Sequence, residues 1–258
     1  MKNNKLSIFA GTALDRFLGF TDKLAKSPSS NRRLCETAII AVSKLTDKQL
    51  DEVKTVYNEF DANEFIEVIL EKTSVNMPRK RFDQIKNVIR EPEWLDILKS
   101  IYVLVRLVKP KVVIETGIGE VGLSSNFILK GLKDNDSGHL FSIDPDKFYD
   151  LYGYHVGTGI LDYLKDKHTF VKGYSQDVLN SVVAASYGEL DIFLHDGDHK
   201  FKTKLFEYNT VFPNLRKGGF ILSDDTWDSA FDRFIEEKEI NSCSLKYGKG
   251  DYFSFAKK

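Results

Sequence analysis

The stretch Val112-Val113-Ile114-Glu115-Thr116-Gly117-Ile118-Gly119-Glu120-Val121-Gly122 decides the fold. Its first four residues, coming after Pro110, form a short apolar, β-branched run that reads as a strand. The run ends in a loop with three glycines. Gly117 and Gly119 permit a tight turn and close approach of a ligand to the backbone, and Gly122 lets helix and strand pack closely. The helix that follows offers free amides to an anionic group, with Ser124 and Ser125 nearby.

Downstream, the same alternation of strand and helix repeats. Strands are expected at Leu140–Ile143, Thr169–Val171, Asp191–Leu194 and Gly219–Leu222, the last introduced by Lys217-Gly218-Gly219. Helical stretches lie near 121–132, 158–166, 176–186, 200–212 and 227–238. This pattern predicts a parallel sheet with helices on both faces. Ser244–Tyr247, the turn Gly248-Lys249-Gly250 and Asp251–Ala256 read as a terminal β-hairpin. The segment Phe148 to Lys167, with Tyr149, Tyr152, Tyr154, His155 and three glycines, reads equally as a lid over the crevice or as a structured surface connection.

Upstream, glycine almost disappears and apolar residues recur at helical spacing. Helices are expected from near Asn31, from Thr46 (whose spacing to Gln49 matches a capping box), after Asp61, and over Arg79 to Arg90. The last, Pro92 to Val108, is apolar nearly all round and should be buried between the sheet and the other helices. With no cluster of titratable residues, this region reads as a structural cap or dimer surface.

The chemistry-bearing residues sit at the expected strand ends. Asp144 ends the second strand, where a carboxylate can accept from both hydroxyls of a ribose. The fourth strand ends in His195-Asp196-Gly197-Asp198-His199 and the fifth in Ser223-Asp224-Asp225-Thr226. Ligands of open parallel sheets bind beyond the carboxyl ends of the strands, so these clusters should converge. Crowded carboxylates raise one another's pKa, and a hard divalent cation removes that cost. Asp196, Asp224 and Asp225 are therefore the candidate ligands of Mg2+ or a similar ion. Asp225 and Thr226 have a competing use as caps of the following helix. His195 reads as a packing residue, whereas His199, just past the strand, can reach the crevice.

With these motifs in place, residues 111 to 258 resemble class I methyltransferases. They are most similar to the metal-dependent O-methyltransferase branch that includes catechol O-methyltransferase and the macrocin and cephamycin tailoring enzymes. The resemblance implies an α/β, Rossmann-like, seven-stranded, mostly parallel sheet with an antiparallel C-terminal hairpin. A helical N-terminal extension would span residues 1–91 and the methyltransferase domain 92–258. The resemblance also implies S-adenosyl-L-methionine as cofactor. Glu115, Gly117, Gly119 and Ser125 would hold its methionine part, Asp144 its ribose, and Ser175 and Gln176, in Gly173-Tyr174-Ser175-Gln176-Asp177, its adenine. Asp196, Asp224 and Asp225 match the metal ligands. His199 stands near the catechol enzymes' lysine base, as in the antibiotic-tailoring branch, and is the candidate catalytic base; Asp225 stands where they have asparagine. The glycine loop is one residue longer than the usual form. Residues 1 to about 90 carry no such resemblance.

Composition narrows the partners. The 258 residues include 37 basic and 38 acidic side chains, a net charge of -1, which gives no drive toward a phosphate backbone. An Asn/Asp-Pro-Pro-aromatic motif after the fourth strand is also absent, so a nucleic-acid substrate is disfavoured. No run reaches the ~20 apolar residues that span a bilayer, and Leu6–Leu14 makes a poor signal peptide. Two distant cysteines, Cys35 and Cys243, fit a reducing compartment and argue against a disulfide framework. The expectation is a cytoplasmic enzyme, compatible with a homodimer, that methylates a hydroxyl of a small molecule. A nicotinamide-dependent oxidoreductase and a non-catalytic cofactor-binding or assembly protein are the alternatives.

Overall fold

Seven strands form one sheet in the order β3-β2-β1-β4-β5-β7-β6. They are β1 (Val112–Thr116), β2 (His139–Asp144), β3 (His168–Lys172), β4 (Leu190–His195), β5 (Leu215–Ser223), β6 (Asn241–Tyr247) and β7 (Asp251–Lys257). β1 to β5 pair in parallel, and β7 runs antiparallel to both β5 and β6. The computed structural model describes residues 34–226, 229–247 and 251–258. The stretch Leu6–Leu14, the residues from Asn31 to Arg33, Trp227 and the turn Gly248-Lys249-Gly250 lie outside these.

Ahead of the sheet come α1 (Ala38–Thr46), α2 (Leu50–Glu59), α3 (Ala62–Asn76), α4 (Arg79–Ile89) and α5 (Pro92–Val108). Within the sheet the crossovers are α6 (Leu123–Asp134), α7 (Lys147–Tyr152), α8 (Ser175–Ala185) and α9 (Phe201–Val211); α10 (Ser229–Lys238) leads to β6. Alternate side chains of each central strand face opposite layers, as the two-residue strand period requires. Val113, Ile192, Leu194, Phe220 and Leu222 pack under α1 to α6, so the N-terminal helices share one apolar core with the sheet. Val112, Ile114, Phe193 and Ile221 pack against α8, α9 and α10. α5 is the deeply buried helix expected, with Ile97, Leu98, Ile101, Val103, Leu104 and Val105 all within 2% exposure.

Four local expectations are corrected. Thr46 does not cap α2: it ends α1 and donates back to the Val42 carbonyl at 2.7 Å, while Gln49 holds the N-cap position without a side-chain bond. Residues 158–166 do not form a helix, since the amides of Gly157, Thr158 and Gly159 donate to Gly119, Glu120 and Val121; only a 3-10 turn follows at Asp162–Lys167. Lys217-Gly218-Gly219 lies inside β5, which begins at Leu215, at an irregularity in its register with β4. Finally, Cys35 and Cys243, 208 residues apart, form a disulfide with Cα atoms at 6.0 Å. Leu34 pairs with Ser244 and the Cys35 amide donates to the Ser244 carbonyl at 2.9 Å, so the segment before α1 lies along β6. That proximity is tertiary, and the spacing of the cysteines in the chain carries no sign of it.

Candidate active site

The register of the central strands builds the site. Thr116, His195 and Ser223 are paired neighbours in one row across β1, β4 and β5. The residues that follow each of them, Gly117, Asp196 and Asp224, therefore leave the sheet together. Their amides continue the ladder: Gly117 donates to Ile143 at 2.8 Å, Asp196 to Thr116 at 2.8 Å and Asp224 to His195 at 2.9 Å. The row lies at the switch point, where connections leave the sheet in opposite directions on either side of β1 and β4. A Cβ on Gly117 would stand 2.1 Å from the Asp196 carbonyl oxygen, whereas one on Gly119 would meet nothing within 4 Å. Gly117 thus seals the loop against the turn after β4, and Gly119 faces open space.

The carboxylates converge as the strand ends require. Asp196, His199 and Asp224 each offer a ligand atom, all within 4.8 Å of one another. Burial and the neighbouring acids push the Asp196 carboxyl well above the usual carboxylate range, and the same causes raise Asp224 to about 6. Burial lowers His199 to about 4. Asp225 adjoins the group in a left-handed conformation, φ +49°, with Oδ2 3.6 Å from His199 Nε2. The Tyr247 hydroxyl donates to Asp224 at 2.5 Å and lies 3.1 Å from Asp225 Oδ1. Lys204, fully buried on α9, donates to the Asp225 carbonyl at 2.5 Å. Thr226 donates to the Tyr252 carbonyl at 3.0 Å.

The glycine-loop side is arranged in two tiers. Glu115 is fully buried beneath the loop and accepts from Ser125, from Ser142 at 2.5 Å and from Ser124 at 3.3 Å. Burial raises its pKa to about 7 against the lowering effect of the serines. Ser125 is likewise fully buried, so these two support the loop from below. Asp144 ends β2 and accepts from the Ile118 amide at 3.1 Å and the Asp146 amide at 2.8 Å, tying the loop to the second strand. Ser175 and Gln176 open α8. The Gln176 amide donates to Thr203 Oγ1 at 3.1 Å.

Residues 114–226, from the middle of β1 to the turn after β5, match the family model described as a methyltransferase domain. This segment is a methyltransferase domain. Solved structures similar to the chain include a protein from Klebsiella pneumoniae assigned as an O-methyltransferase, 18% identical with a TM-score of 0.52, covering 74% of this chain and 88% of that one. An O-methyltransferase from Bacillus cereus in complex with SAH is 15% identical with a TM-score of 0.50, covering 84% and 95%. The apo TDP-rhamnose 3'-O-methyltransferase of calicheamicin biosynthesis is 12% identical with a TM-score of 0.50, covering 75% and 95%. At these identities the likeness establishes the fold. No curated protein matches the chain in sequence.

Within the methyltransferase domain, the segment after β2 is a structured connection. Gly157, Thr158 and Gly159 donate to the glycine loop at 2.9, 2.9 and 3.0 Å. Gly122, expected to ease helix–strand packing, instead makes room for this segment: its Cβ would lie 2.7 Å from Ile160 Cγ1. Glu120 of the loop accepts from Arg81 of α4 through both oxygens and from the Tyr154 hydroxyl at 2.7 Å. Trp94 of α5 packs against Tyr247 with ring centroids 5.5 Å apart. Helices ahead of the matched segment thus reach both halves of the site. Sequence reasoning passed over Arg81, Lys204, Glu207 and Tyr247. Lys204 and Glu207, three apart on α9, lie on one helical face, but polar residues at that spacing ordinarily mark a solvated face.

Proposed function

We propose that the chain is an S-adenosylmethionine-dependent O-methyltransferase acting on a hydroxyl of a small molecule, with a divalent cation, Mg2+ by preference, beside the methyl donor. One observation carries this reading: the Gly117 backbone lies directly on Asp196, so the donor loop and the carboxylate cluster open on one crevice. The similar structures support it, since one holds SAH and another methylates a sugar hydroxyl.

Gly117 and Gly119 line the methionine end of the donor, held from below by Glu115 and Ser125. Asp144 offers its remaining lone pairs to the ribose, and Ser175 and Gln176 flank the adenine. Asp196, Asp224 and Asp225 are the proposed cation ligands, with His199 beside them. The donor set fits a hard cation, because carboxyls this crowded hold protons tightly when no positive charge separates them. Bound there, a cation would supply Lewis-acid stabilisation of negative charge on the acceptor oxygen. His199 Nε2, neutral and facing the carboxylates, accepts the acceptor's proton. Lys204 and Tyr247 hold Asp225 and Asp224 in place, and the rigid Gly117–Asp196 contact aligns acceptor and donor. The helices before residue 92 serve as a cap whose Arg81 braces the glycine loop, and Trp94 of α5 braces Tyr247. The same reading excludes nucleic-acid and membrane partners, allows a homodimer, and puts the protein in the cytoplasm.

Calorimetric titration with SAH and with NAD, followed by transfer of labelled methyl to a library of hydroxylated small molecules, tests this. The expected result is SAH binding, and transfer that stops in excess chelator and returns with Mg2+. Binding of NAD in place of SAH would instead favour an oxidoreductase. SAH binding without transfer to any acceptor would favour a non-catalytic role.

A further inference from the structure

Arg81, in the first turn of α4, brings a cation from the helical cap to the glycine loop. Its Nε donates to Glu120 Oε2 at 2.8 Å and its Nη2 to Oε1, while Nη1 donates to Gln84 Oε1 at 3.2 Å. One edge of the planar guanidinium fork is thus spent on Glu120. Among the described residues, the Nη1–Nη2 edge carries nothing beyond the contact with the neutral Gln84 amide. Glu120 cannot swing away, because its Oε2 also accepts from the Tyr154 hydroxyl. The loop backbone is fixed as well, since the carbonyls of Gly119, Glu120 and Val121 accept from Gly157, Thr158 and Gly159. The other charged side chains that the described residues place about the loop are acids: Glu115 beneath it, Asp144 against the Ile118 amide, and Asp196 beside Gly117. The methionine end of the donor is a zwitterion. Its ammonium suits such surroundings, but its carboxylate needs a cation, because like charges repel strongly where water is excluded.

We propose that Arg81 receives the carboxylate of the donor's amino-acid end on its Nη1–Nη2 edge, with Glu120 as the positioning residue that holds the guanidinium at the loop. The edge matches a carboxylate in bidentate geometry, and the pair is charge-assisted. A neutral amide oxygen at 3.2 Å is the weaker partner, so the incoming carboxylate displaces Gln84. The inference deepens the proposed function and rests on its placing of the donor's methionine end at Gly117 and Gly119. It also gives α4 a task in the reaction. Residue 81 lies ahead of the segment 114–226 that matches a methyltransferase domain, yet it completes the donor site.

The test is calorimetric titration of the full-length protein with two probes: SAH, and S-adenosyl-3-thiopropylamine, which keeps the nucleoside, sulfur and amine but lacks the carboxylate. The wild type should bind SAH about tenfold more tightly than the decarboxylated probe, the difference that one charge-assisted pair makes. In Arg81→Gln that preference should fall to near parity, through weaker binding of SAH alone. Tyr154→Phe removes the other contact of Glu120 but spares the one with Arg81, so it should keep the wild-type preference. Should Arg81→Gln fail to fold, Arg81→Lys decides, because a point charge held by Glu120 cannot fork to a second carboxylate. A wild type without preference for SAH, a preference kept in the arginine variant, or equal weakening of both probes in it overturns the proposal. Equal binding of the two probes by the wild type leaves the methyltransferase reading standing, whereas a wild type that binds neither defeats that reading and the inference with it.

Discussion

Gly117 and Asp196 touch backbone to backbone: a Cβ on the glycine would stand 2.1 Å from the aspartate's carbonyl oxygen and 2.6 Å from Gly197 Cα. Neither side can yield, since both belong to the ladder that continues the sheet. The loop after β1 and the turn after β4 therefore behave as one piece, and a change at either is felt by both.

Gly117→Ala should weaken SAH and Mn2+ binding together and lower the melting temperature. Its φ of +84° adds strain on the order of 1–3 kcal/mol to the clash. Gly119→Ala meets no atom within 4 Å, so only its φ of +67° counts against it; SAH binding should fall while Mn2+ affinity holds. Calorimetry on both variants separates these outcomes, and equal loss of Mn2+ binding in the two would contradict the account.

Arg81 and Glu120 link the helical region to the glycine loop, with side chains 35% and 11% exposed. Arg81→Ala leaves Glu120 with Tyr154 alone. The expected cost is about 1–2 kcal/mol, less than for a sealed pair because the arginine is partly solvated. SAH affinity should drop several-fold with the acceptor KM little changed. A melting curve and donor titration indistinguishable from the wild type would show the bridge to be idle.

Glu115 gives a pH signature. Its carboxyl holds a proton up to about pH 7 in the fold, against an ordinary value of 4.5. A raised carboxyl contributes stability that is complete below pH 4.5 and is lost as pH rises through about 7. Asp196 and Asp224 act in the same direction, so the informative quantity is the difference between variants. Glu115→Gln, neutral at every pH, should gain on the wild type by about 1–3 kcal/mol as pH climbs across that window. Denaturant melts at a series of pH values measure it; a constant difference would mean that Glu115 ionises normally.

The Cys35–Cys243 bridge closes a loop of 208 residues between the start of the described chain and β6. Opening it should cost about 2–5 kcal/mol of stability. A reductant should lower the melting temperature of the wild type and leave Cys35→Ala/Cys243→Ala untouched. Two thiols titrating in the denatured, unreduced protein would show that the bridge does not form.

What could be read from the chain was whatever repeats locally. The strand period of Val112–Thr116, the glycines behind it and the aspartates ending β2, β4 and β5 each announce themselves within a few residues, and the parallel topology then obliges those ends to share a rim. The helix Pro92–Val108 was legible for the same reason, being apolar nearly all round. Only the tertiary structure decided what pairs across distance: Cys35 with Cys243, Arg81 with Glu120, Glu207 with Thr116 and His195, Lys204 with the turn at Asp225. A charged or hydroxylated side chain on a helix looks the same in sequence whether it faces water or a buried partner. The physical difference is the desolvation that the partner offsets, and that depends on atoms up to 208 residues away.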